Sequence, residues 1–218
     1  MIDSLKVELD GKRIIRAGDR LFEPVYNFLI ILAGISYSAS MFVGGKTHKT
    51  PNPVMRVQTR WPNYGLAVPL GKVMQSALIA IPPRTIEIGI MTNPTLLSTP
   101  LPDAKLQTAG LHSPINYATG PIFLGFFERY NDWLKDTYGD GVNWPPTLNF
   151  ARVVRNSAAH GKIVIRHLGT PAVSWRDLSY GYADNGRRVI GDDMKFGEVL
   201  ALMFDCDDEL NKLNAPIL

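Results

Sequence analysis

The sequence predicts a mainly α domain with a β-hairpin before its last helix and long Pro/Gly-rich loops in its N-terminal half. Three observations carry that prediction. Residues 121–138, 145–160 and 193–213 repeat apolar side chains at helical spacing. An apolar stretch of helix length lies at 20–41. Between these, residues 44–71 and 93–116 are broken so often by proline and glycine that regular structure there can only be short.

The chain has 218 residues, 45% of them hydrophobic and 20% charged, a balance that fills a globular core. A disordered chain, a collagen-like repeat and a coiled coil are thereby excluded. The organisation expected is a single domain over 1–218, with an N-terminal helix at about 20–41, an irregular insertion at about 44–120 and a helical core over 120–213. The lone cysteine, Cys206, excludes a disulfide framework and a Cys-based zinc site.

Taken in order, Leu5, Val7 and Leu9 alternate with polar residues before a turn at Asp10-Gly11, in the manner of a short hairpin or a lead-in to a helix. Asp19 is placed to cap the helix that follows, and Pro24 is tolerable there because it falls in the first turn. Pro82-Pro83 stop the apolar stretch Lys72–Ile81, and TIEIGIM at 85–91 alternates as a strand does. From Pro121, residues Ile122, Phe123, Phe126, Phe127, Tyr130 and Leu134 form one apolar stripe, and Gly139 ends that helix. A second helix starts at Pro145-Pro146, and Gly161 closes it. The stretch from Ile163 to Ile190 is rich in β-branched and aromatic residues and contains the turn Asp184-Asn185-Gly186, which suggests a hairpin or a semi-extended excursion. Phe196, Val199, Leu200, Met203 and Leu210 then face inward on a last amphipathic helix.

Charge is distributed unevenly. No acidic residue occurs from Pro24 to Ile86, where Lys46, Lys49, Arg56, Arg60, Lys72 and Arg84 all fall. A second basic stretch spans Phe150–Arg188, and an acidic one spans Asp192–Glu209. Such a pattern suits a polyanion-binding face, with Lys46, Lys49, Arg56 and Arg60 as candidate RNA-binding residues, or else a solvated surface. The opening residues are charged and lack the apolar core of a signal peptide. The apolar run Phe28–Ile35 is far shorter than the roughly 20 residues that span a bilayer. A cytoplasmic protein with no membrane partner is expected.

The candidate chemistry sits in RNSAAH, residues 155–160. Asn156 and His160 are spaced i, i+4 and share a helix face, whereas Arg155 lies about 140° around the axis from His160. Arginine, asparagine and histidine together suit a phosphate undergoing displacement, where charge develops on the phosphoryl oxygens. The plain alternative is a helix end capped by Asn156 and His160, with Arg155 a surface cation.

FARVVRNSAAHGKI resembles the signature helix of HEPN domains, whose motif is Arg-x4–6-His with a polar residue, often Asn, after the arginine. The flanking segments, Pro121–Tyr138 before it and VSWRDL, RRVI and FGEVLALMFDCDDEL after it, are similar too, so the resemblance covers about residues 120–213. It implies a HEPN-like helical bundle, often a homodimer in which two motifs line one cleft. It further implies a metal-independent endoribonuclease of toxin–antitoxin or other defence systems, needing no cofactor and no metal. Arg155 and His160 would be catalytic, with Asn156 supporting them. RNA and an antitoxin or neighbouring defence protein would be its partners. Some members are non-catalytic nucleotide-binding or protein-interaction modules, and that alternative stays open.

Other features have plainer readings. His48, His112 and His167 fall in loop-like sequence without metal-ligand partners at useful spacing. GGKT at 44–47 lacks the first glycine of a phosphate loop, since Ser40 stands there. Asp205, Asp207, Asp208 and Glu209 suggest a solvated acidic face. Trp61, Tyr64, Trp144 and Trp175 are candidates for base stacking or for ordinary packing.

Overall fold

A computed structural model describes residues 11–44, 54–92 and 112–218. They form six strands, β1 (Gly11–Arg16), β2 (Val54–Gln58), β3 (Gly65–Pro69), β4 (Thr85–Met91), β5 (Val173–Trp175) and β6 (Leu178–Tyr180), and five α-helices, α1 (Phe22–Gly44), α2 (Leu70–Leu78), α3 (His112–Tyr138), α4 (Pro146–His160) and α5 (Phe196–Lys212). Helix accounts for 51% and strand for 18% of the described residues, so the fold is mixed α/β. The mainly α, HEPN-like bundle expected from the sequence is therefore overturned by a four-stranded antiparallel sheet of order β1-β4-β3-β2.

Two compact units make up the chain: one of residues up to Ala17 with Val25–His112, the other of Gly18–Pro24 with Ser113–Leu218. The sheet belongs to the first. β4 buries Ile86 and Ile88 as its alternation predicts, but the alternation breaks after Gly89, so that Met91 is buried and Ile90 only half-buried. β1 aligns Arg16 with Thr85 and Gly11 with Ile90. β2 and β3 lie in the stretch that reads as loop. Each has only five residues, and β3 is buried on both faces, so it shows no alternation. Pro62 falls in the connection and Pro69 on the last residue of β3, where proline does not interrupt a ladder. The Thr59 hydroxyl donates to the Tyr64 carbonyl at 2.5 Å and closes that connection. The Tyr26 and Ser76 hydroxyls, 3.2 Å apart, join α1 to α2 within this unit.

The second unit holds α3, α4, α5 and the β5–β6 hairpin. α3 starts nine residues before the expected Pro121, which it accommodates inside the helix. Its stripe is buried as predicted at Phe123, Phe126, Phe127, Tyr130 and Leu134. α4 buries Leu148, Phe150, Ala151, Val153, Val154 and Ser157 and ends at Gly161, whose φ of 72° is the left-handed form that glycine adopts without penalty. The hairpin turns at Arg176-Asp177, not at Asp184-Asn185-Gly186. The latter turn instead ties the return segment to the exit of α4. Asn185 accepts from the Ile165 amide at 2.6 Å and donates to its carbonyl at 2.8 Å, while the Ile163 amide donates to the Arg187 carbonyl at 2.8 Å.

Phe150 carries the packing of α4 on the hairpin, with its ring centroid 5.4 Å from Tyr180 and 5.6 Å from Trp175. The Gly18–Pro24 segment is held by Arg20, only 7% exposed. Its guanidinium donates to the carbonyl of Pro216 at 3.2 Å and also to the Ala215 carbonyl and the Asn211 side chain. Asp207 lies 3.8 Å away and supplies the countercharge that a buried cation needs.

Candidate nucleic-acid site at the end of the fourth helix

α4 presents the motif at its C-terminal turn. Arg155 reaches the preceding helix, where its guanidinium forms an ion pair with Glu128 of α3, and its Nη1 donates to Asn156 Oδ1 at 2.9 Å. This pair is partly exposed, at 26% for Arg155 and 39% for Glu128. Glu128 therefore fixes the direction of Arg155 and offsets its charge. A bound phosphate would share the guanidinium with the carboxylate, or displace it.

Asn156 and His160 follow each other along one face of α4, the arrangement that their i, i+4 spacing requires. His160 is exposed, and its imidazole has no hydrogen-bond partner among the described residues. No hydrogen bond joins it to Arg155 either. The site thus has a cation–carboxylate–amide cluster on the side of α4 and an open imidazole at its tip. Such an arrangement can hold an anion and exchange a proton with it.

The basic stretch around the motif separates into two groups. Arg176 pairs with Asp205 at 3.2 Å, and Arg187 pairs with Asp184 and Asp193 at 3.3 and 2.6 Å. The hydrogen bond and charge of Asp193 push the Arg187 guanidinium above its ordinary value. Lys162, Arg166 and Arg188 are exposed and have no carboxylate partner among the described residues. Arg152 donates to Asn149 Oδ1 at 2.9 and 3.1 Å, and burial holds its guanidinium below its ordinary value.

The other candidates stand as follows. Lys46 and Lys49 lie outside the described residues, as does His48. Arg56 is half-buried in β2 and Arg60 is exposed beyond it, both in the first unit, whereas the motif belongs to the second. Trp144 and Trp175 are 5% and 6% exposed, which removes them as stacking platforms. Asp205 accepts from the Trp175 indole at 2.8 Å and so fastens the hairpin to α5. Among the described residues no group of three His, Cys, Asp or Glu could hold a metal ion, and no helix is long and apolar enough to cross a membrane. Glu128 escaped the sequence reading because its partner is 27 residues away, and local spacing does not report a pair across two helices.

No family model, curated protein or solved structure matches this chain.

Proposed function

We propose that this chain is a metal-independent endoribonuclease of the HEPN type. The observation that carries the reading is the open imidazole of His160 at the tip of α4, one turn beyond an Asn156 that is hydrogen-bonded to Arg155. In the proposed reaction the RNA 2′-oxygen loses its proton, attacks the neighbouring phosphorus and displaces the 5′-oxygen, which takes up a proton. The products are a 2′,3′-cyclic phosphate and a 5′-hydroxyl end. His160 acts as general base or acid, and Arg155 and Asn156 donate to the phosphoryl oxygens as charge builds there. A homodimer in which two motifs line one cleft would bring a second His160 for the opposite proton transfer. The protein would act in the cytoplasm, restrained by an antitoxin or a neighbouring defence protein.

The pairing of Arg155 with Glu128 favours a second reading, a non-catalytic HEPN-like module that binds a nucleotide or a protein. The deciding experiment incubates wild-type and His160→Ala protein with a pool of single-stranded RNAs in EDTA. Cleavage by wild type alone, with cyclic-phosphate ends, is the expected result. Equal cleavage by the two proteins, or none by either, overturns the nuclease and leaves the module. Arg155→Ala should lower the rate on the order of a hundred- to a thousand-fold, the usual loss for a donor to a developing oxyanion, and Asn156→Ala less.

A further inference from the structure

α2 ends in an apolar tip. Its buried side chains are Leu70, Val73 and Ser76, and the helix stops at Leu78, before the next inward position comes round. From there five successive residues, Leu78, Ile79, Ala80, Ile81 and Pro82, are exposed, and all of them are apolar. Leu78 is 80%, Ile79 58% and Ile81 64% exposed. Folded chains ordinarily leave apolar side chains on the surface singly, and a consecutive run of them marks a surface that meets something.

The backbone holds these side chains out. The Ala80 amide donates to the Ala77 carbonyl at 3.2 Å and the Ile81 amide to the Ser76 carbonyl at 3.1 Å, which closes the helix end with Ala80 at a φ of 54°. Glycine is the usual residue at that left-handed position. In such a closure the residue after it commonly folds back on an apolar side chain of the last turn. Here the last turn offers Ser76 and Gln75, and Ile81 stays outside. Pro82-Pro83 then stiffen the exit towards β4.

Area and charge together select the partner. Leu78, Ile79 and Ile81 expose on the order of a few hundred Å², well short of the roughly 800 Å² per partner of a stable protein interface. Cations stand behind the tip. Lys72 precedes Ile79 by seven residues, so the two share one face of α2 with the ammonium stem rooted about 10 Å back. Arg84 follows Ile81 by three residues, a reach of about 10 Å at most. Both cations are exposed, and neither has a carboxylate partner among the described residues. The next acid along the chain, Glu87, is occupied by Lys12 at 3.4 Å. A lipid surface fits this arrangement: apolar side chains that enter the headgroup boundary by about 5–10 Å bring such cations level with the phosphates. We propose that the tip Leu78–Pro82 inserts into one leaflet of an anionic membrane, with Lys72 and Arg84 on the lipid phosphates. The short apolar run Phe28–Ile35 speaks against a spanning helix, not against a docked loop. The proposal stands apart from the nuclease reading, since this tip and RNSAAH belong to different units.

The test uses the full chain and vesicles of phosphatidylcholine, alone or with an equal part of phosphatidylserine. Wild type should co-sediment with the mixed vesicles and clearly less with phosphatidylcholine alone. The combined variant Leu78→Ser, Ile79→Ser, Ile81→Ser should bind the mixed vesicles on the order of tenfold more weakly or worse. Its urea midpoint should be unchanged, since these side chains bury little in the fold. Lys72→Gln and Arg84→Gln should each weaken binding to the mixed vesicles about fivefold and leave binding to phosphatidylcholine alone unchanged. Ile79→Cys in a Cys206→Ala background, labelled with the polarity-sensitive dye NBD, should brighten and shift to the blue when mixed vesicles are added. Failure of wild type to co-sediment overturns the proposal, and so does equal co-sedimentation of wild type and the serine variant. A label already shifted to the blue before vesicles are added overturns it too. If that shift is lost on dilution the tip meets a second copy, and if it persists another part of the same chain covers it.

Discussion

At Gly141 there is no room for a methyl group: a Cβ there would lie 2.2 Å from Nε of Arg152 and 2.7 Å from its Cδ. Arg152 cannot move aside freely, because its two bonds to Asn149 Oδ1 hold it over the short turn that leads into α4. Gly141→Ala should therefore destabilise the protein by about 1–2 kcal/mol, within the ordinary range for a strained substitution. In an Arg152→Ala background most of that loss should vanish, and urea midpoints of the four proteins check this. A loss that persists there would locate the strain elsewhere in the turn. The ion pair Arg155–Glu128 is of another kind. Its partial exposure limits its contribution to stability to about 1 kcal/mol or less. A double-mutant cycle on thermal unfolding should return a small coupling, even though the same substitutions act strongly on any chemistry at the site. Arg155 and Asn156 could be placed together from the sequence because they are adjacent, and a hydrogen bond joins them. Glu128, the partner of Arg155, could not, because another helix brings it in.

Among the elements, α4 depends on the hairpin, and Phe150 is the joint. Its ring is fully buried between Tyr180 and Trp175. Phe150→Ala should lower stability by about 3–5 kcal/mol, as truncation of a core aromatic does, and Phe150→Leu by clearly less. Urea unfolding followed by tryptophan fluorescence measures both, since Trp175 reports on the same joint. The helices α3, α4 and α5 could be read from the sequence because their period of 3.6 residues repeats over several turns, although Pro121, taken as the start of α3, lies inside it. β4 was legible from its alternation. β2 and β3 were not: each has only five residues, β3 is buried on both faces and so has no period to display, and their identity comes from the pairing between them. The hairpin turn was misplaced for a related reason. Asp184-Asn185-Gly186 has the composition of a hairpin turn, yet Asn185 uses its side chain to bind Ile165, and the strands reverse at Arg176, whose φ of 52° is unusual for a side-chain-bearing residue.

For the molecule as a whole, pH is an informative variable. Cys206 is fully buried in α5, and burial, followed by the charges of Asp205, Asp207 and Glu209, pushes its thiol well above the ordinary 9.0. The unfolded chain loses that proton first, so stability is unaffected below this value and falls as pH rises through it. Cys206→Ala should flatten the decline in melting temperature above pH 9, and iodoacetamide should label Cys206 at pH 8 only as fast as the protein opens. Rapid labelling of native protein would contradict the burial. The division into two units was not visible in composition, since the second of them includes residues 18–24 and resumes only at 113. That discontinuity governs how the chain is made. A ribosome releases β1 and Arg20 early, but β1 pairs with β4, and Arg20 binds the carbonyls of Ala215 and Pro216. Neither can be satisfied while its partner is still in the tunnel, and closing so long a loop is slow. Nascent chains stalled so that residue 210 has just emerged should be cut by protease around Arg20, and chains released past residue 218 should resist.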